Sequence, residues 1–307
     1  MTSSSKPAAG AGQFRIGGEV TVNRLGYGAM RITGQPGNWG PFKDPAAAHR
    51  MLRRAYELGV NFIDTAISYG NGWSEKHIAE ALRPYPADLF VATKCGVVKE
   101  GPGKLRRDAR PEWVRESCDL SLGYLGVERI SLLQLHAVDP NVPLADTIGA
   151  FAGLVQAGKV RFVGLSNVTI EQIEAAQKIV PIASVQNRYS VGERKNDAVL
   201  DYCTRNGIAF LPYAPLGANA TSGTPFASAG GTLKTIAARH GVTSTQVSLS
   251  WLLHRAPNII PIPGTTSIAH MEQNANAATI KLTPADRQAL DEAADLPEVF
   301  QPLMTPR

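Results

Sequence analysis

Phe62-Ile63-Asp64-Thr65-Ala66-Ile67-Ser68-Tyr69-Gly70 reads as a short buried strand that stops at Asp64 and gives way to a polar turn ending in a tyrosine beside a glycine. Two later stretches repeat the pattern: Phe90-Val91-Ala92-Thr93-Lys94 and Leu132-Leu133-Gln134-Leu135-His136. Each is a short apolar run closed by one chemically capable residue. Such runs suit strands buried on both faces of a parallel sheet.

Working outward, strands alternate with helices along the whole chain. Leu25 to Met30 is the first strand candidate. Asp44-Pro45 then opens a helix, with Asp as the capping residue and Pro at the first helical position. Ala48, Met51, Leu52, Ala55 and Leu58 give that helix an apolar face, and Gly59 stops it. Further strands are expected at 60–66, 89–93, 130–135, 160–165, 183–186, 208–212 and 258–263. The helices between and after them cover 73–82, a stretch from Pro111, 143–157, 170–179, 197–205, 233–240, 245–254 and 268–278. Gly217 to Gly231 is a small-residue loop, and Gly17-Gly18 marks a hairpin within 13–22. Eight strands, each followed by a helix, predict an α/β fold, a (β/α)8 TIM barrel with an N-terminal β-hairpin and extra helices. The rival, a doubly wound dinucleotide fold, wants G-x-G-x-x-G; Gly26 and Gly28 are present, but Arg31 stands at the third glycine position.

The composition agrees. A chain of 307 residues with 44% hydrophobic content can bury one large core. We expect residues 1–12 to be a disordered tail and 13–307 a single domain. The net charge is +5 with no long basic run, which suits a mild attraction for anions and not a nucleic-acid surface. Cys95, Cys118 and Cys203 are too far apart to suggest a disulfide framework or a zinc knuckle. A reducing cytoplasmic setting is expected. The N-terminal residues lack the apolar core of a signal peptide, and no run is long enough for a membrane helix.

In a TIM barrel the strand C-termini build the site. Asp64, Lys94 and His136 end three successive strands, and Tyr69 follows Asp64 in its loop. A free tyrosine titrates near pH 10, too high for an efficient acid at neutral pH. A nearby lysine ammonium lowers that value, a carboxylate keeps the ammonium charged, and a histidine can orient a carbonyl oxygen. The set suits protonation of an oxygen that gains negative charge. Taken singly, each residue has a blander reading: Asp64 as a cap, Lys94 as a snorkelling surface group, His136 as a satisfied structural histidine, Tyr69 as packing. Their placement at consecutive strand ends favours the joint reading.

The chain resembles the aldo-keto reductases. The resemblance is carried by Asp64-Thr65-Ala66 with Tyr69-Gly70, Lys94, His136 after Leu133-Gln134-Leu135, Gly164-Leu165-Ser166-Asn167, Gln186-Asn187, Pro212 to Gly217, and Ile262-Pro263-Gly264-Thr265. These run in family order from about residue 24 to 280, with the flavour of bacterial members similar to pyridoxal reductases. The resemblance implies NADPH-dependent reduction of a small aldehyde or ketone. Tyr69 is then the general acid, Lys94 its pKa modifier, Asp64 the partner of Lys94, and His136 the orienter of the carbonyl. Ser166, Asn167 and Gln186 are implied to hydrogen-bond the nicotinamide carboxamide, and Tyr213 to stack on the ring. Leu216 and Gly217 fall along the pyrophosphate, and Pro215 is counted with the cofactor contacts. Thr265, Ser267, His270, Gln273 and Asn274 face the adenosine end. Gly28, Ala29 and Met30, and Pro263, Gly264 and Thr266, are counted with the cofactor contacts.

The residues themselves support the last segment. Gly264-Thr265-Thr266-Ser267 follows the eighth strand and opens a helix, whose free N–H groups and hydroxyls suit an anion. Ser267 serves equally as a plain helix cap. Many family members carry Lys and Arg where this chain has Gly264 and His270, so NADH use is open beside NADP+/NADPH. Met30, Trp39, Phe42 and Trp73 either line an apolar pocket at the mouth or pack their loops. A Schiff-base lyase or aldolase acting through Lys94, and a non-catalytic nucleotide-binding regulatory subunit, are the alternatives. No metal is expected, nor a nucleic-acid or membrane partner; monomer and homo-oligomer are equally compatible with the sequence.

Overall fold

The short apolar runs pair as parallel strands. A computed structural model describes residues 6–217 and 231–293. Its main sheet has the order β11 (Ala209–Phe210), β10 (Ile182–Gln186), β9 (Val160–Ser166), β8 (Ile130–Leu135), β5 (Phe90–Cys95), β4 (Phe62–Asp64) and β3 (Tyr27–Gly28). Every neighbouring pair in it is parallel. Helices therefore cover the outer face, and the strands carry apolar residues on both sides.

The expected eighth strand, 258–263, is an extended stave and not a laddered strand. It lies between β11 and β3 and closes the sheet into a TIM barrel. Phe210 N donates to Asn258 O and Ile260 N donates to Phe210 O, both at 2.9 Å. On the other side Gly26 N donates to Pro261 O at 2.9 Å and Gly28 N to Pro263 O at 3.3 Å. Pro261 and Pro263 have no N–H to return, so the stave makes only half a ladder toward β3. The two backbones also approach closely: a Cβ on Gly28 would stand 2.6 Å from Ile262 O, and one on Gly264 2.7 Å from Gly28 O. Glycine at both positions is a requirement of barrel closure.

The helices follow the sequence signals closely. In α1 (Pro45–Glu57), Asp44 Oδ1 accepts from Ala47 N at 3.0 Å, and Ala48, Met51, Leu52 and Ala55 are buried. α2 (Trp73–Leu82), α3 (Pro111–Leu125), α4 (Leu144–Gln156), α5 (Ile170–Gln177), α6 (Asp197–Arg205), α7 (Gly231–His240), α8 (Ser244–Arg255) and α9 (Ile268–Asn276) complete the expected set. The hairpin β1 (Gln13–Ile16) and β2 (Val20–Asn23) places Ile16 and Val22 in one apolar cluster with the interior residues Phe62 and Phe90, sealing the end of the barrel where the strands begin.

Three features depart from the sequence reading. Residues 7–11, expected within a disordered tail, form a 3-10 helix with Ala8 buried and Ala8 N bonded to Leu58 O at 3.0 Å. After β5 the chain makes an antiparallel hairpin, β6 (Val97–Gly101) and β7 (Lys104–Arg107), that the sequence reading omits. A last helix, α10 (Pro284–Asp291), is also unanticipated; Thr283 and Asp286 cap it reciprocally. Most of the loop expected at 217–231 lies outside the described residues.

Candidate active site

Register brings the polar strand ends together. Asp64 pairs with Ala92 across β4 and β5, and Lys94 with Gln134 across β5 and β8. Lys94 Nζ lies 2.5 Å from Asp64 Oδ2, 2.9 Å from Thr65 O and 3.3 Å from Tyr69 OH. All three ammonium protons thus have acceptors. Lys94 is fully buried and Asp64 nearly so. The other carboxylate oxygen, Oδ1, accepts from Gln186 Nε2 at 2.8 Å and Gln134 Nε2 at 3.1 Å. Such complete bonding is what lets an ion pair persist at the core of a barrel.

The electrostatics follow from burial. Burial opposes the charge on Lys94, but Asp64 and Tyr69 outweigh it and raise the ammonium pKa above its usual value. For Tyr69 burial is the largest influence and raises the phenol, whereas the Lys94 charge lowers it; the net shift is upward. The expectation that lysine depresses the tyrosine is therefore right in sign for that one interaction and outweighed by desolvation. In this state the site holds a protonated phenol against a protonated amine.

His136 completes the group. Its ring meets that of Tyr69 edge-on, with centroids 5.8 Å apart and an interplanar angle of 82°. Burial, and then the charge of Lys94, push its pKa down to about 3, so it is a neutral imidazole at physiological pH. Ser68 Oγ lies 3.4 Å from its Nδ1. The four residues expected to converge therefore do, at the strand C-termini. Together they offer an O–H donor, a fixed positive charge behind it and a neutral imidazole beside it.

A second group borders the first. Asn167, in the left-handed region at φ 58°, donates from Nδ2 to His136 O and to Ser166 Oγ, both at 3.0 Å, and accepts from Tyr213 OH at 2.8 Å. Asparagine tolerates this backbone better than most residues. Ala214 is also left-handed, at φ 49°, and opens the turn through Pro215 and Leu216 that returns from Gly217 N to Ala214 O at 2.8 Å. Backbone strain held at a rim marks a position worth a functional hypothesis. An amide, a hydroxyl and a half-buried phenol in a row suit a flat ring bearing a carboxamide.

Farther along the rim, Ser267 caps α9 by accepting from His270 N, and Thr265 Oγ1 accepts from Ser267 N at 3.1 Å. Gly264, Thr266, His270 and Gln273 are exposed around this helix start, whereas Pro263, Thr265 and Asn274 are buried beneath it. Its outward N–H groups and hydroxyls suit a phosphate. Gly28 and Met30 are half-buried at the exit of β3, and Ala29 is buried. The residues present fit a nicotinamide dinucleotide at both of its ends.

Some placements differ from the sequence reading. Gln186, expected to face a carboxamide, directs its amide nitrogen at Asp64 Oδ1 and, at 3.4 Å, at Gln134 Oε1. It holds Asp64 from below. Gln134 and Ser184 belong to the same network, with Ser184 Oγ 3.3 Å from Gln134 Oε1. Sequence reasoning passed over both, although a glutamine or serine inside an apolar strand is itself a signal of a buried polar partner. Of the aromatic residues expected at the mouth, Phe42 packs on the core and Trp73 carries Lys76 Nζ 4.7 Å over its ring; Trp39 stays exposed.

Comparison with known proteins agrees with this geometry. The model of the Aldo/keto reductase family matches residues 24–295. An uncharacterized oxidoreductase of Schizosaccharomyces pombe is 42% identical over 290 residues, covering 94% of this chain and 92% of that protein. Pyridoxine 4-dehydrogenase of Escherichia coli is 39% identical over 280 residues, covering 89% and 96%. The solved structure of a glycerol dehydrogenase from Gluconobacter oxydans superposes with a TM-score of 0.82 at 26% identity, covering 96% of this chain and 99% of that one. With a family model spanning the barrel and relatives matched along nearly their whole length, the chain belongs to the aldo/keto reductase family.

Proposed function

We propose that this protein reduces a small aldehyde or ketone to the alcohol, using NADPH, with Tyr69 as the proton donor. The observation that carries the reading is the chain from buried Asp64 and Lys94 to half-buried Tyr69, with Nζ 2.5 Å from the carboxylate and 3.3 Å from the phenol. When bound, NADPH supplies the hydride. The alkoxide that develops on the substrate takes its proton from Tyr69 OH, and the Lys94 charge stabilises the phenolate left behind. Asp64 keeps Lys94 protonated and aimed. His136, neutral, orients the carbonyl oxygen by a hydrogen bond from its ring. Ser166, Asn167 and Tyr213 would hold the nicotinamide, and the segment 264–270 the phosphate at the adenosine end. The relationship to pyridoxine 4-dehydrogenase makes pyridoxal the first carbonyl to test.

A Schiff-base role for Lys94 fits less well, because its three protons are bonded and its charge is stabilised by Asp64, leaving no free amine to attack. The test is Tyr69→Phe. NADPH affinity, followed by fluorescence, stays within about twofold, and kcat for carbonyl reduction falls about 10³-fold. Wild-type turnover in that variant removes Tyr69 from the chemistry. Tight NADPH binding by the wild type, with no turnover on a broad carbonyl panel, supports the regulatory-subunit reading instead.

A further inference from the structure

On the outer layer of the barrel, α1 and α2 bring together His49, His77 and Glu80, whose ligand atoms all lie within 4.8 Å of one another. Glu80 Oε2 is 3.0 Å from His49 Nε2 and 3.6 Å from His77 Nδ1. The two rings stand 5.4 Å apart at 63°. The His77 side chain is fully buried, that of His49 is 19% exposed, and that of Glu80 is half exposed.

His49 Nε2 and His77 Nδ1 are both buried and have no hydrogen-bond partner among the described residues. For His49 distance is not the reason, since the carboxylate oxygen is only 3.0 Å away. The failure is one of direction: the nitrogen does not aim its hydrogen-bonding axis at that oxygen. For His77 the 3.6 Å separation is itself beyond hydrogen-bond reach. Two buried ring nitrogens without a protein partner, gathered beside one carboxylate, make a donor set for a cation. We propose that His49 Nε2, His77 Nδ1 and one oxygen of Glu80 bind a single divalent transition-metal ion of the zinc type.

The donor chemistry selects that class. Two imidazoles and one carboxylate suit zinc and its neighbours, whereas calcium and magnesium require oxygen ligands. Bonds of about 2.0–2.2 Å in a tetrahedral array place ligand atoms about 3.4 Å apart. The 3.0 and 3.6 Å separations bracket that spacing, and the half-exposed Glu80 can adjust by rotamer changes. Water on the exposed side would complete the shell.

Coordination would also touch the active-site rim. His77 Nε2 now accepts from Phe42 N at 3.4 Å. A metal on Nδ1 places the ring proton on Nε2 and ends that contact. Phe42 closes the loop whose Asn38 O accepts from Gly70 N at 3.1 Å, beside Tyr69.

The experiment is Zn²⁺ titration of EDTA-treated, dialysed protein by calorimetry, with Co²⁺ visible absorption as a second readout. The expected result is one ion per chain with a Kd of about 1 μM and a Co²⁺ band of nitrogen–oxygen ligation. His49→Ala and Glu80→Gln, both at solvent-accessible positions, should each weaken Zn²⁺ at least about 30-fold with the circular dichroism spectrum unchanged. His254→Ala should bind as the wild type does. The proposal is overturned if the wild type takes up no Zn²⁺ below about 1 mM, if both variants titrate like it, or if His254→Ala abolishes the binding. None of these readouts depends on carbonyl reduction.

Discussion

Two layers of one barrel interior stand a few residues apart on the same strands and are built on opposite principles. In the lower layer Phe62 stacks on Phe90 with ring centroids 5.6 Å apart, and Phe90 on Phe162 at 6.3 Å, over the plug formed by Ile16 and Val22. In the upper layer β4 and β5 present Asp64 and Lys94, with Gln134 from β8 and Gln186 from β10. Phe62 and Phe90 below, and Asp64, Lys94, Gln134 and Gln186 above, are all buried. Below, burial is itself stabilising, at about 1.5–3 kcal/mol for a large apolar side chain. Above, burial is costly and is offset only because every proton of Lys94 and both oxygens of Asp64 have partners. The lower layer is robust to chemistry and sensitive to volume; the upper one is the reverse.

The largest expected effect tests the upper layer. Lys94→Met keeps volume but strands the Asp64 carboxylate, so we expect destabilisation of about 3–5 kcal/mol in urea unfolding and nearly complete loss of turnover. Adding Asp64→Asn to that variant should recover much of the stability and none of the activity. Failure to recover would mean that packing, and not unpaired charge, dominates above as it does below. Next is the lower layer: Phe62→Ala should cost about 3–4 kcal/mol while kcat per folded molecule at low temperature stays within a few-fold. A collapse of kcat at intact folding would show that the two layers are coupled.

The smallest effect sharpens the comparison with a buried carboxyl that lacks a direct cation. Glu75, on α2 behind β5, accepts from Thr93 Oγ1 at 2.5 Å, but its other oxygen is unpartnered among the described residues. Burial raises its pKa to about 7, against the Thr93 hydrogen bond and the more distant charge of Lys94. The folded state then binds more protons than the unfolded state between about pH 4.5 and pH 7. Wild-type stability therefore falls as pH rises through that window. Glu75→Gln imitates the protonated acid and escapes this loss. The variant should match the wild type near pH 5 and exceed it by on the order of 2 kcal/mol at pH 8, read from paired unfolding curves.

Much of this was legible from residues alone. Asp44-Pro45 announces α1, and the short apolar runs announce parallel strands. Their polar ends announce a convergent site, because a barrel gathers strand C-termini on one rim. What escaped had a physical cause in each case. The hairpin β6–β7 carries Lys99, Glu100, Lys104, Arg106 and Arg107, so apolar periodicity is faint there, although Gly101-Pro102-Gly103 supplies a turn signal. The capping pair Thr283 and Asp286 could have revealed α10. Gln134 and Gln186 looked like a strand interior and a cofactor contact, and no local pattern says which carboxylate a buried amide will meet.

The amino-acid sequence by itself determined the alternation of elements, the barrel and the identity of the four converging side chains, because periodicity and strand-end placement are local properties of the chain. Only the tertiary structure decided that 258–263 closes the barrel through half a ladder, that Asp64 is held from below by two glutamines, and that the ligand atoms of His49, His77 and Glu80 gather within 4.8 Å of one another. Those outcomes depend on distances and directions between segments remote in sequence, which no single stretch encodes.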